Sequence, residues 1–344
     1  MTLRELTGYL RNLRGVRHKL DIQAVGALLA APPGSSVAVG DDCAAIADGD
    51  GFLLLAIEGL LDEFVSAEPW FAGYCAVMVN VSDVYAMGGR PLAVVDALWA
   101  AGADRAGPIW DGMKTAAAKY AVPIVGGHTN SRSDADHLAA AILGRASRLL
   151  TSFDARPGDA LLAAIDLRGE WFGPYPWWNA STTADQTRLR GDLEILPALA
   201  EAGLCAAAKD ISMGGLVGTA AMLAECSGIG ISIDISTIPT PFVDPPPKSV
   251  LAHGRWASDN HTMIGKWLSA FPSYGFLLAV PPPNVPQVVS RFTERGIAVA
   301  TIGMCDSSHQ VTLSDGSGTI EVFWDMNREP FIGFGPGRPQ EARP

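Results

Sequence analysis

Residues 68–87 form a run in which Tyr74, Cys75, Met78, Val81, Val84 and Met87 recur at helical spacing, and Gly88-Gly89 followed by Pro91 stops it. Asn80 and Asp83 interrupt this apolar helix at positions i and i+3. A carboxylate on an apolar face costs free energy until a partner meets it. Any fold of this chain must therefore bring a donor or a cation to Asp83, and no other feature constrains it as much.

Strand-like and helix-like segments alternate around that helix. Residues 21–30 read as a short helix ended by Ala31-Pro32-Pro33-Gly34, and residues 36–39 as a strand entering Gly40-Asp41-Asp42. Residues 52–58 form an apolar strand that ends on Glu58. PLAVVDALW reads as a strand, 109–120 as a helix, VPIV as a short strand ending at Gly126-Gly127, and HLAAAILGRA as a further strand. Ser, Asp, Pro and Gly cluster over 151–159, after which ALLAAID restarts the alternation, with helices at 189–202 and 216–226. GFLLAV, GIAVATIG, QVTLS and TIEVFW are closing strands. The expected division is an N-terminal domain over 1–150, a C-terminal domain over 151–330, and a Gly/Pro-rich tail over 331–344 that has little to bury and lies on the surface or frays.

At 344 residues with 48% hydrophobic content the chain can bury a sizeable core. Its 25 Lys and Arg against 36 Asp and Glu leave a net charge of −11, which disfavours nucleic-acid binding. An acidic chain that handles phosphates needs metal ions. The Cys residues 43, 75, 205, 226 and 305 are scattered and show no CxxC pairing, so a reducing cytoplasm is expected rather than a disulfide framework or a zinc ribbon. No run approaches the roughly 18 apolar residues of a membrane span, and no secretory signal is expected.

Polar residues at element ends carry the expected chemistry. Asp41, Glu58 and Asp83 each sit where a fold can converge them; at about 4 Å two such carboxylates repel by about 4 kcal/mol at an effective dielectric of about 20. A divalent cation removes that penalty, and oxygen ligands favour Mg²⁺ bridged to substrate phosphates. Gly126-Gly127 and Gly214-Gly215 let backbone N–H groups approach an anion, and Lys209-Asp210-Ile211-Ser212-Met213 leads into the second pair ahead of a helix. Plainer readings coexist with these: Gly40-Asp41-Asp42 as a turn, Asn80 and Asp83 as caps or cross-links to neighbouring loops, Asp210 and Ser212 as helix caps, His128 as a satisfied core histidine. No Walker A string, kinase catalytic loop, convincing GxGxxG or GxSxG elbow occurs.

The ordered series GDDCAAI, NVSDVYAMGGRPLAVVDAL, VGGHTN and KDISMGGLVGTAAMLAECSGIGISID resembles the superfamily of AIR synthase (phosphoribosylformylglycinamidine cyclo-ligase), thiamine-monophosphate kinase, selenophosphate synthetase and the carbamoyl-dehydrating hydrogenase maturation factor, and within it the AIR synthase-related branch. The match runs over residues 36–235. The resemblance implies a two-domain α/β (α+β) fold, with an N-terminal mixed sheet that pairs into a barrel in a homodimer, a C-terminal α/β sandwich, and ATP with Mg²⁺ between the domains. It implies Asp41, Glu58 and Asp83 as metal or phosphate-site carboxylates, and Asp41, Asp83, His128 and Asp210 as catalytic residues. It implies Asp42, Asn80, Gly126, Gly127, Thr129, Ser212, Gly214 and Gly215 as nucleotide-binding residues. The chain departs from the family in several places. Met213 replaces the second Asp of the kinase's DISDGL, the VEGVHF string is absent, no cysteine precedes Cys43, and the chain ends in ARP.

Two segments lie outside the motif set. Residues 17–21 (RHKLD) either send Lys19 to a phosphate or form a solvated basic turn. Residues 166–181 gather Trp171, Tyr175, Trp177 and Trp178 beside Arg168 and Asn179. Either Arg168, Trp177, Trp178 and Asn179 contact a small organic substrate, or the aromatics pack beneath a loop. The expectation is an Mg²⁺- and ATP-dependent enzyme that phosphorylates or activates an oxygen of a small molecule, with no nucleic-acid or membrane partner. The alternative is a nucleotide-binding regulatory or scaffold protein with little turnover, and a third reading is a metal-binding protein that ignores nucleotides.

Overall fold

A computed structural model describes residues 1–26, 38–242 and 258–335. The chain divides into two compact units: Asp42–Leu149 with Ser181–Ala202, and Met1–Asp41 with Leu150–Ala180 and Gly203–Pro344.

The first unit is built on β1 (Ala44–Asp48), β2 (Gly51–Gly59), β3 (Arg90–Trp99), β4 (Ile124–Asn130) and β5 (His137–Ala146), in the order β1-β2-β5-β3-β4. All neighbours are antiparallel except β3 and β4, which are parallel and joined by the helix Ala103–Tyr120. Alternation along the strands sends Leu54, Ala56, Val94, Leu98, Leu138, Ala140 and Ile142 to one buried face. The helix Pro69–Ala86 is buried along nearly its whole length. Burying each of its valines and aromatics stabilises the unit by about 1.5–3 kcal/mol. It lies close against the helix Ala103–Tyr120 because Gly73 meets the Ile109 carbonyl and Gly112 meets the Trp70 carbonyl, with no room for a Cβ at either position.

Helices Gln186–Leu193 and Ile195–Glu201 belong to this same unit, although the expected boundary put residues 181–202 in the C-terminal domain. Arg90 pairs with Glu194 (2.9 Å) and Glu201 (2.6 Å), and Lys119 Nζ donates to the Ala184 carbonyl (2.7 Å). β4 also differs from expectation. It runs straight through Gly126-Gly127 to Asn130, because parallel pairing with β3 continues to Trp99–Asn130. The glycine pair expected to end the strand thus lies inside it.

The second unit holds a seven-stranded sheet of order β15-β14-β10-β13-β6-β12-β9, from β6 (Ala160–Ile165), β9 (Ala207–Asp210), β10 (Gly230–Asp234), β12 (Gly275–Val280), β13 (Ala298–Asp306), β14 (Gln310–Ser314) and β15 (Ile320–Asp325). β6 and β12 are buried at every residue, so their continuous apolar runs reflect cover on both faces. A small sheet of order β11-β8-β7 comprises β7 (Glu170–Trp171), β8 (Trp177–Asn179) and β11 (Phe271–Pro272).

The amino-terminal helices join this second unit, not the first. Leu3, Leu6 and Leu10 of helix Leu3–Arg11 and Val16 of helix Arg14–Leu20 enter its core, and a Thr2–Glu5 capping box starts the first of these helices. Residues 17–20 of RHKLD are therefore helical rather than a basic turn. The expected helix at 21–30 is seen as Ile22–Gly26, and its remaining residues lie outside the described ones. Of the expected strand at 36–39, Ala38 and Val39 are not in a strand and the rest lies outside the described residues.

The start of the tail is not loose. Phe331 and Ile332 are buried in the core, and the buried Glu225 carboxylate accepts the backbone N–H groups of Phe331, Ile332 and Gly333. Two apolar side chains with a carboxylate waiting for their amides outweigh the Gly/Pro composition that pointed to fraying. All five cysteines are buried free thiols.

Candidate functional site

In the first unit the site begins with Asn80 and Asp83, fully buried and 5% exposed respectively. Asn80 Nδ2 donates to the Ala76 carbonyl (2.8 Å) and to the Ala140 carbonyl of β5 (3.0 Å), which ties the helix Pro69–Ala86 to the sheet at that point. The Cys43 N–H donates to Met87 Sδ (3.0 Å), holding the segment just after Asp42 at the carboxyl end of the same helix. As a result Asp42 and Asp83 offer carboxylate oxygens within 4.8 Å of each other. At that separation their repulsion is about 3.5 kcal/mol at an effective dielectric of about 20. The pair fits a hard divalent cation: both donors are oxygens, and such an ion offsets the repulsion.

The carboxylate that meets Asp83 is Asp42 and not Asp41. The Asp41 side chain is fully buried in the second unit, where Ser152 donates from its N–H (2.7 Å) and its Oγ (2.6 Å) and Lys209 Nζ lies 3.9 Å away. Those partners claim both Asp41 oxygens, so the residue anchors its turn. Ser227 Oγ extends the network by donating to the Ser152 carbonyl (2.7 Å). Glu58 lies exposed near the end of β2. By register it stands in a row across the helix-covered face, Glu58–Ala140–Asp96–Gly127, over β2, β5, β3 and β4.

Asp96 in that row is 6% exposed, and no other residue donates a hydrogen bond to either of its oxygens. Burial pushes its carboxyl above the usual carboxylate range, and its own amide N–H offsets this only in part. Gly127 is a glycine for a local reason: a Cβ there would collide with Asp96 Oδ1. His128, the next residue, alternates to the opposite face, where it pairs with Ala97 and its ring lies 5.8 Å from that of Trp99. It is exposed and turned away from Asn80 and Asp83, which excludes a core histidine and sets it apart from the carboxylate pair. Thr129 returns to the Asp96 side, level with Leu98.

In the second unit the sequence Asp210–Gly215 forms the end of β9 and the start of the helix Gly215–Ser227. Asp210 is 4% exposed, and Ser212 is half-buried with its carbonyl accepting from the Gly215 N–H (2.8 Å). Gly215 has φ +65° and lies against the Leu268 carbonyl, a conformation and a closeness that only glycine tolerates. The Lys19 side chain runs alongside Gly214, and Gly15 packs directly on the Met213 carbonyl. A lysine beside the amino-terminal end of a 13-residue helix is an arrangement suited to an anion.

The aromatic segment divides in two. Trp178 is 6% exposed, donates from Nε1 to the Asp166 carbonyl (2.9 Å) and packs edge-on against Trp171 and Trp267, so it is a core residue and not a wall for a substrate. Arg168 is held by Asp166 Oδ1 (2.7 Å) and the Arg295 carbonyl (3.0 Å). Trp177 stacks on Tyr175 at 4.1 Å and remains half-buried, as does Asn179.

Sequence reasoning assigned Asp42 to the nucleotide and passed over Asp96. The signal for Asp96 was present: it breaks the apolar alternation Val94–Asp96–Leu98 in β3. The preference for Asp42 over Asp41 had no such signal, because adjacent aspartates differ only in where their side chains point.

A five-stranded mixed sheet covered by a carboxylate-bearing helix, followed by a unit with a mixed seven-stranded sheet and a glycine-led helix, is the two-domain α/β fold of AIR synthase-like proteins. The chain belongs to the AIR synthase related proteins: residues 40–146 match their N-terminal domain and residues 165–316 their C-terminal domain. It is 44% identical over 337 residues to the uncharacterized protein sll0787 of Synechocystis, covering 96% of this chain and 98% of the relative. It is 27% identical to the thiamine-monophosphate kinase of Rhodopirellula baltica, over 79% of this chain and 84% of that enzyme. Among solved structures, Thermotoga maritima PurL complexed with ATP matches 86% of this chain with a TM-score of 0.64 at 16% identity, a likeness of fold. The chain spans about half of that PurL chain, 47%. Its relatives thus include a kinase, and the proteins that share its fold include one solved with ATP. Among the described residues, no helix is long and apolar enough to cross a membrane.

Proposed function

We propose that this chain is an Mg²⁺-dependent, ATP-using enzyme that phosphorylates an oxygen of a small molecule, either releasing the phosphate ester or activating a carbonyl for attack by a nucleophile. The observation that carries this reading is the Asp42–Asp83 pair, two carboxylates within 4.8 Å of each other, Asp83 lying near the end of a buried helix. Phosphoryl transfer needs positioning and charge neutralisation more than a protein nucleophile. In this reading Asp42 and Asp83 would hold the metal, which would supply charge neutralisation at the phosphates, while Lys19, Ser212 and the glycine turn at Gly214-Gly215 would lie along the phosphate chain. Asp210 adds a carboxylate ahead of that helix, and the half-buried Trp177 and Asn179 contact the small molecule.

The test is a thermal-shift panel followed by turnover assays across small-molecule acceptors. ATP with Mg²⁺ is expected to raise the melting temperature more than ATP with EDTA, with ADP formed once an acceptor is supplied. Stabilisation by ATP without hydrolysis for any acceptor would favour the scaffold reading, to which Met213 in the phosphate loop lends weight; no ATP effect at all would defeat both.

The same reading includes a homodimer formed through the uncovered face of the first unit's sheet. Ile46, Leu55, Ile57, Val95, Val125 and Leu143 are exposed there, and Ile57 reaches 70%. A sheet face with this many exposed apolar side chains calls for a partner surface. Ile57→Glu is expected to convert a dimer of about twice the 36.1 kDa chain mass to a monomer in light scattering; an unchanged mass rejects this interface.

A further inference from the structure

Met87 caps the helix Pro69–Ala86 and is bonded on both sides of the Asp42–Asp83 pair. Its backbone N–H donates to the Asp83 carbonyl (3.3 Å), and its thioether Sδ accepts from the N–H of Cys43 (3.0 Å), the residue next to Asp42. Met87 is fully buried and Cys43 is 3% exposed. A buried amide left without an acceptor is costly, so even a weak acceptor such as a thioether holds it in place. β1 is an edge strand whose pairing with β2 begins at Ala44, so the ladder stops two residues short of Asp42. Gly88 takes the left-handed conformation (φ +73°) directly after Met87, which ends the helix at that point.

On the reading that Asp42 and Asp83 hold a metal, we infer that Met87 is a positioning residue: through the Cys43 amide it fixes Asp42 opposite Asp83, and by that spacing it makes the pair favour Mg²⁺ over Ca²⁺. Mg²⁺ demands near-ideal octahedral placement of its oxygens at about 2.0–2.1 Å, whereas Ca²⁺ accepts irregular sets at about 2.3–2.6 Å. A loosened Asp42 therefore harms the smaller ion more. The sulfur does this without touching the metal, since it is spent on the backbone beside the ligand.

The test uses the full chain and Met87→Leu, which keeps volume and apolarity but removes the acceptor. In metal-free protein, hydrogen exchange at the Cys43 amide is expected to speed up about tenfold in Met87→Leu, while amides in the middle of the helix Pro69–Ala86 keep their wild-type rates. With ATP fixed, melting curves are then recorded across MgCl₂ and, separately, CaCl₂. The Mg²⁺ concentration giving half of the full shift is expected to rise about five- to tenfold in Met87→Leu, and that for Ca²⁺ by roughly twofold or less. A residue that only fills space would lower the melting temperature alike at every metal concentration and move neither midpoint. Unmoved midpoints, or equal shifts of the two, overturn the role of Met87. Asp83→Asn is run beside it. If Asp83→Asn loses the Mg²⁺ response and Met87→Leu keeps the wild-type one, the metal site stands and this inference falls; if Asp83→Asn responds as the wild type does, the metal reading falls and takes the inference with it. Should Met87→Leu fail to fold, exchange in the wild type decides: Cys43 amide protection that is higher in ATP with Mg²⁺ than in ATP with EDTA supports the inference, and equal protection overturns it.

Discussion

Asp83→Asn is expected to cut Mg²⁺-dependent ATP turnover by about a hundred- to a thousandfold, equivalent to roughly 3–4 kcal/mol of lost stabilisation. The substitution keeps shape and burial, so the helix Pro69–Ala86 retains its contacts. It removes one of two carboxylates that stand within 4.8 Å. Without metal the melting temperature of Asp83→Asn should therefore equal or exceed that of the wild type, because the repulsion with Asp42 is gone. With Mg²⁺ and ATP the order should reverse, since the wild type alone gains strongly from binding. That crossing separates a metal ligand from a structural residue, which would destabilise the protein under both conditions. Turnover and Mg²⁺-dependent stabilisation that match the wild type would remove Asp83 from the site.

Glu225→Ala is expected to destabilise the protein by about 3–5 kcal/mol, the largest stability effect foreseen for a residue outside the site. The carboxylate accepts from Phe331, Ile332 and Gly333, and it is 8% exposed. Truncation leaves those N–H groups without acceptors and loosens the seat of Phe331 and Ile332, which are 0% and 2% exposed. Gln23 Nε2, which donates to the Pro330 (3.0 Å) and Phe331 (2.9 Å) carbonyls, cannot replace it, because it supplies donors where acceptors are needed. At roughly 2–4 °C per kcal/mol, the melting temperature should fall by about 6–20 °C. Glu225→Gln keeps one carbonyl acceptor and should fall by less. A shift within 2 °C for Glu225→Ala would show that the segment from Phe331 contributes little to folding.

Much of the fold was legible before any coordinates. Short apolar runs located β2, β3 and β5, and helical spacing located the Pro69–Ala86 helix, because each pattern records the burial of a single element. The order of motifs along the chain gave the family. What failed had a common cause. Gly126-Gly127 punctuates most chains, yet here it continues as β4 because parallel pairing with β3 outweighs glycine's local preference for turns. Residues 331–335 read as a tail because the Glu225 that receives them lies more than a hundred residues away.

Residue type and spacing along the sequence determined the class of chemistry: oxygen ligands, a hard cation, glycine-led amides and no protein nucleophile. Tertiary structure alone decided that Asp42 stands with Asp83 while Asp41 turns to Ser152, that His128 faces away from them, and that Asp96 is buried without a donor. The physical reason is that a side chain's direction depends on the register and packing of its whole element. Electrostatic cost depends in turn on what other elements bring to within a few ångströms, and no stretch of local sequence encodes that.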